Sequence, residues 1–165
     1  MAVRDILLYP NPALKGRSRA VEPAEAPAVA ADLVDTMRAH AGAVGLAAPQ
    51  LGELVRLVAV DVSEHPKAAS SQGLLVLANP RVLRERRREV AREGCLSVPH
   101  LTANVRRATR IELEAHAPAG ERLELTSEGF EARCLLHEID HLDGILFLDR
   151  VDSLATDVFR RKSYR

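Results

Sequence analysis

Residues 130–142 read Phe130-Glu131-Ala132-Arg133-Cys134-Leu135-Leu136-His137-Glu138-Ile139-Asp140-His141-Leu142. The apolar positions Leu135, Leu136, Ile139 and Leu142 follow a period near 3.6, so the stretch predicts a buried helix. On a helix turning about 100° per residue, His137 and His141 stand about 40° apart on one face, one turn up, and can grip one cation. Glu138 lies about 60° from His141, close enough to reach a water held by that cation without ligating it. A lone histidine in such a helix is usually a core residue satisfied by hydrogen bonds. Two at this spacing with a glutamate between them, an H-E-x-x-H pattern, point to a metal and to hydrolysis.

Upstream of this helix the period changes. A first helix is predicted from about Pro23 to His40, with Ala28, Val29, Ala31, Leu33, Val34 and Met37 as its apolar stripe and Pro23 or Pro27 in its first turn. Gly42 and Gly45 end that pattern. Leu54–Val62 and Leu74–Asn79 then read as buried strands. Val105–Ala115 alternates, with Ile111 and Leu113 on one side and Glu112 and Glu114 on the other, and Arg122–Thr126 pairs with it across Pro118-Ala119-Gly120. Strands gathered between two helices predict an α+β domain, with mixed or antiparallel strands packed around a central helix that carries the H-E-x-x-H motif, plus an N-terminal helix. One catalytic domain spanning 1–165 is expected.

Composition agrees with that size. The 165 residues are 47% hydrophobic and 28% charged, which excludes a disordered or collagen-like chain. Lys plus Arg (23) balance Asp plus Glu (23), so no overall field draws in nucleic acid or an anionic membrane. Three Phe, two Tyr and no Trp argue against a surface built on base stacking. The N-terminus has too short an apolar run for a signal peptide, and no stretch approaches the roughly 20 apolar residues that cross a bilayer. A cytoplasmic location with Cys95 and Cys134 as separate thiols is expected. Arg84-Glu85-Arg86-Arg87-Arg88-Glu89 reads first as a solvated edge or hairpin and second as a nucleic-acid patch. The tail Arg160–Arg165 reads as a frayed basic end.

A catalytic metal of this kind takes three protein ligands and keeps one position open. The third donor is not in the motif. Gly144 fits the longer H-E-x-x-H-x-x-G-x-x-H pattern of metzincins, but Phe147 stands where its last histidine belongs. No Glu follows Glu138, which removes the thermolysin-type solution; Asp149, Asp152 and Asp157 remain downstream. Upstream stand His40, His65, His100, His116, Cys95 and several carboxylates. Cys95 is distinguished by its setting, Glu93-Gly94-Cys95-Leu96-Ser97-Val98-Pro99, where glycine permits close backbone approach, proline is expected to end the extended run, and a thiolate is the softest donor available.

Three separated blocks give the chain a resemblance to the peptide deformylase family: Gly45-Leu46-Ala47-Ala48-Pro49-Gln50, Glu93-Gly94-Cys95-Leu96-Ser97 and His137-Glu138-Ile139-Asp140-His141. Tyr9-Pro10-Asn11-Pro12-Ala13-Leu14 and the Asn79-Pro80 pair also match, so the likeness runs nearly the length of the chain. The resemblance implies one divalent ion on Cys95, His137 and His141, natively Fe2+, with Zn2+, Ni2+ or Co2+ able to take the same donors. It implies a water in the fourth position as nucleophile, Glu138 as general base and then acid, and an oxyanion held by the Gln50 amide and the Leu96 backbone N–H. The implied substrates are nascent N-formylmethionyl peptides, paired like a strand alongside Gly45. Val44, Phe130, Cys134 and the Arg133 stem would line the methionine pocket, with plain core packing the competing reading of Val44 and Phe130. Also expected are a transient ribosome contact through the tail, no membrane, no specific nucleic acid, and a monomer or weak dimer. Ala43, Leu136 and His100 depart from the family pattern, which usually carries Gly, Gln and Gly there. Two rival readings remain: a metallopeptidase cutting internal bonds, and a non-catalytic binding protein with a structural metal closed by a fourth protein ligand.

Overall fold

The computed structural model describes residues 2–161, so Lys162 to Arg165 of the basic tail lie outside the described residues. Among these, six strands form one sheet: β1 (Gly45–Ala47), β2 (Leu57–Val60), β3 (Leu75–Cys95), β4 (Val98–His116), β5 (Arg122–Glu128) and β6 (Val158–Arg160). They run in the order β1-β2-β3-β4-β5, with β6 also on β4. All strand pairs are antiparallel, and the parallel contact is an isolated bridge from Arg19 to Val55. Two α-helices, α1 (Ala26–Arg38) and α2 (Gly129–Leu142), complete an α+β fold.

Helix α1 contains its whole apolar stripe but is shorter at both ends than the expected span from Pro23 to His40. Pro27 sits in its first turn, and the chain leaves through Gly42 in a left-handed conformation (φ 78°). Ala43 does not need that conformation, so its replacement of the family's glycine costs no backbone strain. Strand β2 stops where Ser63 N–H and Oγ donate to Asp61 Oδ1, a side-chain turn that competes with the ladder.

Strand β3 corrects the sequence reading. Asn79-Pro80 does not end the strand: Asn79 takes φ 50° at a register shift, its side chain tied to the Val21 backbone at 2.9 and 3.2 Å, and the strand continues to Cys95. Asparagine tolerates the left-handed region, and a bulge needs no N–H from the proline that follows. Pro99 likewise does not end the extended run. It lies inside β4, opposite a gap between the pairs Gly94↔Thr102 and Cys95↔Val98, where no ladder bond is required of it. The turn Leu96-Ser97 therefore closes a long β3–β4 hairpin with Cys95 at its end.

Every residue of α2 from Glu131 to Leu142 is buried. Its Leu135, Leu136, Ile139 and Leu142 pack with Val58, Val60, Leu77, Ile111 and Leu113 of the sheet. A fully buried leucine contributes about 1.5–3 kcal/mol, so this seam fixes the helix against β2–β4. Helix α1 covers β1 and β2 through Leu33, Met37, Leu46, Leu57 and Ala59. Gly144 ends α2 in a left-handed turn (φ 74°) pressed on the Lys15 backbone, where a side chain has no room.

Candidate active site

Cys95 arrives at the tip of the β3–β4 hairpin, and His137 and His141 arrive one turn apart on α2. All three are buried, and their ligand atoms lie within 4.8 Å of one another, with Cys95 Sγ 3.4 Å from His141 Nε2. Donor atoms on a tetrahedral cation of this type stand about 3.5 Å apart, so the cluster fits one such ion. Of the third-ligand candidates left open by the sequence, Cys95 is the one that joins the two histidines.

A charged network sets the imidazoles. His137 Nδ1 meets Glu93 Oε1 at 2.9 Å, which leaves Nε2 for the cluster. Glu93 sits two residues before Cys95 on the same face of β3 and also accepts from Arg107 Nε (2.6 Å) and Arg133 Nη1 (2.7 Å). Arg107 Nη1 donates to Asp140 Oδ2 at 2.8 Å, and Arg150 forks onto both oxygens of Asp140 at 3.1 and 2.9 Å. The Phe147 ring stacks on His137 with centroids 6.0 Å apart, so the residue that replaces a metzincin histidine buttresses one of the two clustered imidazoles instead. Burial alone would lift the Glu93 carboxyl, but His137 and Arg107 outweigh it and hold it well below the carboxylate range. Burial, with the neighbouring His137, keeps His141 far below the usual histidine value and hence neutral.

Glu138 is buried with Oε1 unpartnered among the described residues. Burial, helped by the Glu93 charge and opposed by His137 and Arg107, pushes its pKa up to about 7. It presses on Gly45: a Cβ there would meet Glu138 Oε2 at 2.5 Å, so β1 carries glycine because the carboxylate occupies the space. Gln50, in the 3-10 turn after β1 (Ala48–Leu51), accepts from Ala47 N–H at 2.9 Å. Its Nε2 donates to Ser97 Oγ at 3.0 Å and lies 3.7 Å from Cys95 Sγ, which aims the amide at the cluster. Leu96 sits in the hairpin turn beside Cys95 and packs on the α1 side of the core.

Val44, Phe130 and Cys134 all border the same apolar cluster on the sheet side of α2. His65 stacks on Phe130 with centroids 4.4 Å apart. Burial drives the Cys134 thiol far above its ordinary pKa, so it is an inert apolar side chain. The Arg133 guanidinium turns away from that cluster, spent on Glu93 and on the Val105 and Glu89 carbonyls. Leu136, at a position often Gln in the family, joins the core, and His100 is exposed. Glu93, Arg107, Asp140, Ser97 and Phe147 were not singled out from the sequence as site residues. Glu93 carried a signal, its two-residue spacing from Cys95 on a strand; a buried Arg107 among alternating apolar neighbours carried almost none.

An α+β fold that converges a thiol and two imidazoles beside an unpaired buried carboxylate defines a hydrolase with a candidate single-metal centre. The family model described as polypeptide deformylase matches residues 3–157. A peptide deformylase of Desulforudis audaxviator is 42% identical over 166 residues, covering 98% of this chain and 99% of the relative. The crystal structure of peptide deformylase from Thermotoga maritima superposes with a TM-score of 0.83 at 32% identity, over 93% of this chain and 100% of that one. A Met-Ala-Ser-bound class I type b peptide deformylase from Acinetobacter baumannii gives 0.84 at 31% identity, over 91% and 100%. The chain belongs to the polypeptide deformylase family, metal-dependent hydrolases that remove the N-formyl group from nascent peptides. No helix among the described residues is long and apolar enough to cross a membrane.

Proposed function

We propose that this hydrolase takes the N-formylmethionyl end of a newly made polypeptide and releases formate, using one divalent ion held by Cys95, His137 and His141. The observation that carries the reading is the convergence of those three donors within 4.8 Å beside the unpartnered Glu138 carboxylate. When bound, the ion supplies Lewis acidity, lowering the pKa of a water and polarising the formyl carbonyl. Glu138 takes a proton from the attacking water as the oxygen joins the formyl carbon. It then delivers that proton to the amine nitrogen as the C–N bond breaks. Gln50 Nε2 and the Leu96 N–H hold the oxyanion, and being fixed by Ala47 and the hairpin turn they need no reorganisation in the transition state.

The substrate backbone pairs along Gly45, and its methionine side chain enters against Val44, Phe130 and Cys134. The Met-Ala-Ser peptide held by the Acinetobacter protein begins with the residue this reaction leaves free, which supports a methionine-first peptide as the product. Retention of metal by Glu138→Gln with about 10²–10⁴-fold loss of turnover on a formyl-Met peptide is expected. Metal analysis of anaerobically purified protein beside a formate-release assay tests it; full activity in that variant overturns the assignment of the base.

A further inference from the structure

The segment Arg84–Glu89 is not absorbed by the catalytic site. It lies on a free edge: β3 pairs with β2 only over Leu75–Ala78, so from Arg81 onward β4 is its neighbour on one side alone among the described strands. Every residue from Leu83 to Val90 is exposed. Extended backbone places Arg84 and Arg86 on one face and Glu85 on the other, and the left-handed Arg87 breaks that alternation, so that Arg87 lines the same recess as Arg86.

Edge protection explains some charge here, since a charged edge discourages pairing with another chain. It does not explain the arrangement. Arg86 stands directly across from Arg110, a like-charge pair that costs stability. Arg87 holds φ 55°, a conformation side chains other than glycine rarely adopt. Arg86, Arg87 and Arg88 have no ion pair or side-chain hydrogen bond among the described residues, although Glu85 and Glu89 are adjacent in sequence. Arg86 and Arg87 line an open recess of about 460 Å³ together with Thr109, Arg110, Glu128 and Gly129. Arg110 is already paired with Glu128, so the two unpaired guanidinium groups are Arg86 and Arg87. A second recess of about 320 Å³ shares Arg110 and Glu128 and reaches Ser70, Ser71 and Gln72.

We propose that this exposed stretch of β3 docks the phosphate backbone of RNA without reading its sequence, with a phosphate seated between Arg86 and Arg87, which line one recess, and the unpaired Arg88 beside it. Guanidinium forks match phosphate oxygens bidentately. The lining offers no aromatic ring for stacking bases, so the backbone and not the bases is what it holds. The purpose of such a contact rests on the function proposed above, because newly made polypeptides emerge from a machine with RNA on its surface. The contact itself rests on the arginines.

The test is fluorescence anisotropy of a labelled 20-nucleotide RNA hairpin with the full chain in about 50–200 mM salt, against the combined variant Arg86→Gln, Arg87→Gln, Arg88→Gln. Turnover of a free formyl-Met peptide is followed in parallel. The expected result is at least tenfold weaker RNA binding by the variant. The log–log salt slope should also become shallower by about 0.7–0.9 for each phosphate that the variant no longer neutralises, with unchanged turnover. Absence of RNA binding by the wild-type chain at the lowest salt overturns the proposal, as does equal binding by the variant. So does equal competition by polyglutamate or anionic vesicles of matched charge. Loss of deformylation with RNA binding intact would strike the proposed function and leave this surface standing.

Discussion

As the proposed base, Glu138 must lose a proton easily enough to accept one from water and hold it well enough to pass it on, and its burial sets that balance. With its pKa lifted to about 7, the carboxylate form is lost as pH falls below that value, so kcat/KM should decline on the acid side. A bound cation favours the ionised form and moves the limb downward, never upward. A pH–rate profile whose acid limb lies above 8 would count against Glu138 as the base. Gly45 bears on the same atom from β1. Gly45→Ala pushes Glu138 Oε2 from its place, so kcat should fall by about tenfold or more while thermal stability changes little. Steady-state kinetics on a formyl-Met peptide checks this, and an unchanged kcat removes the packing argument. Sequence made the motif residues legible because helix spacing alone puts His137 and His141 on one face. The Gly45 contact was hidden because it depends on how β1 lies against α2.

Between elements, Glu93 is the common partner of β3, β4 and α2, bonded to Arg107, Arg133 and His137 in a buried setting. Truncation to alanine takes from two buried guanidinium groups the anion they share, leaving Arg107 with Asp140 and Arg133 with backbone carbonyls, and a loss of about 3 kcal/mol in urea unfolding at pH 7 is expected. The sign of its pH dependence follows from its depressed folded pKa: the stabilisation is full above the ordinary carboxylate value of 4.5 and is lost as pH falls below it toward the folded value. Glu93→Gln cannot titrate, so its stability should fall less between pH 5 and pH 3 than that of the wild-type chain, on the order of 1 kcal/mol less. Parallel loss in both would show that other carboxylates govern acid unfolding. Elements differed in how openly they could be read. α2 follows one period and was read to within one residue, whereas the alternation of Val105–Ala115 revealed only part of β4, which begins at Val98. β3 was read only to Asn79, because beyond it the strand is an exposed edge with no apolar alternation, held by the β4 ladder. Long-range backbone pairing of that kind leaves no local signature.

Across the whole molecule, the candidate metal centre joins parts that the chain brings together only on folding: the tip of the β3–β4 hairpin and the buried helix α2. Cys95 packs with Val98, Ala103, Val105 and Phe147, whose ring also stacks on His137, while α2 packs on β2–β4 through its leucines. The proposed ion, shared between them, would close the hairpin tip onto the helix, and because the unfolded chain offers no preformed site, its binding would count toward folding. At a hundredfold excess over its dissociation constant it adds about 2.7 kcal/mol. For a chain of this size that is about 5–10 °C in Tm. Chelation should therefore lower the unfolding temperature by that order, and readdition of Fe2+ or Zn2+ under anaerobic conditions should restore it. Cys95→Ser, which keeps the shape and weakens the donor, should have a Tm near that of the chelated protein and respond little to added ion. Glu138→Gln, which leaves the donors in place, should keep the full metal-dependent shift. A chelator that leaves Tm unchanged in the wild-type chain while abolishing turnover would mean that the ion serves chemistry alone and that the hairpin tip is held to α2 by the Glu93 network without it.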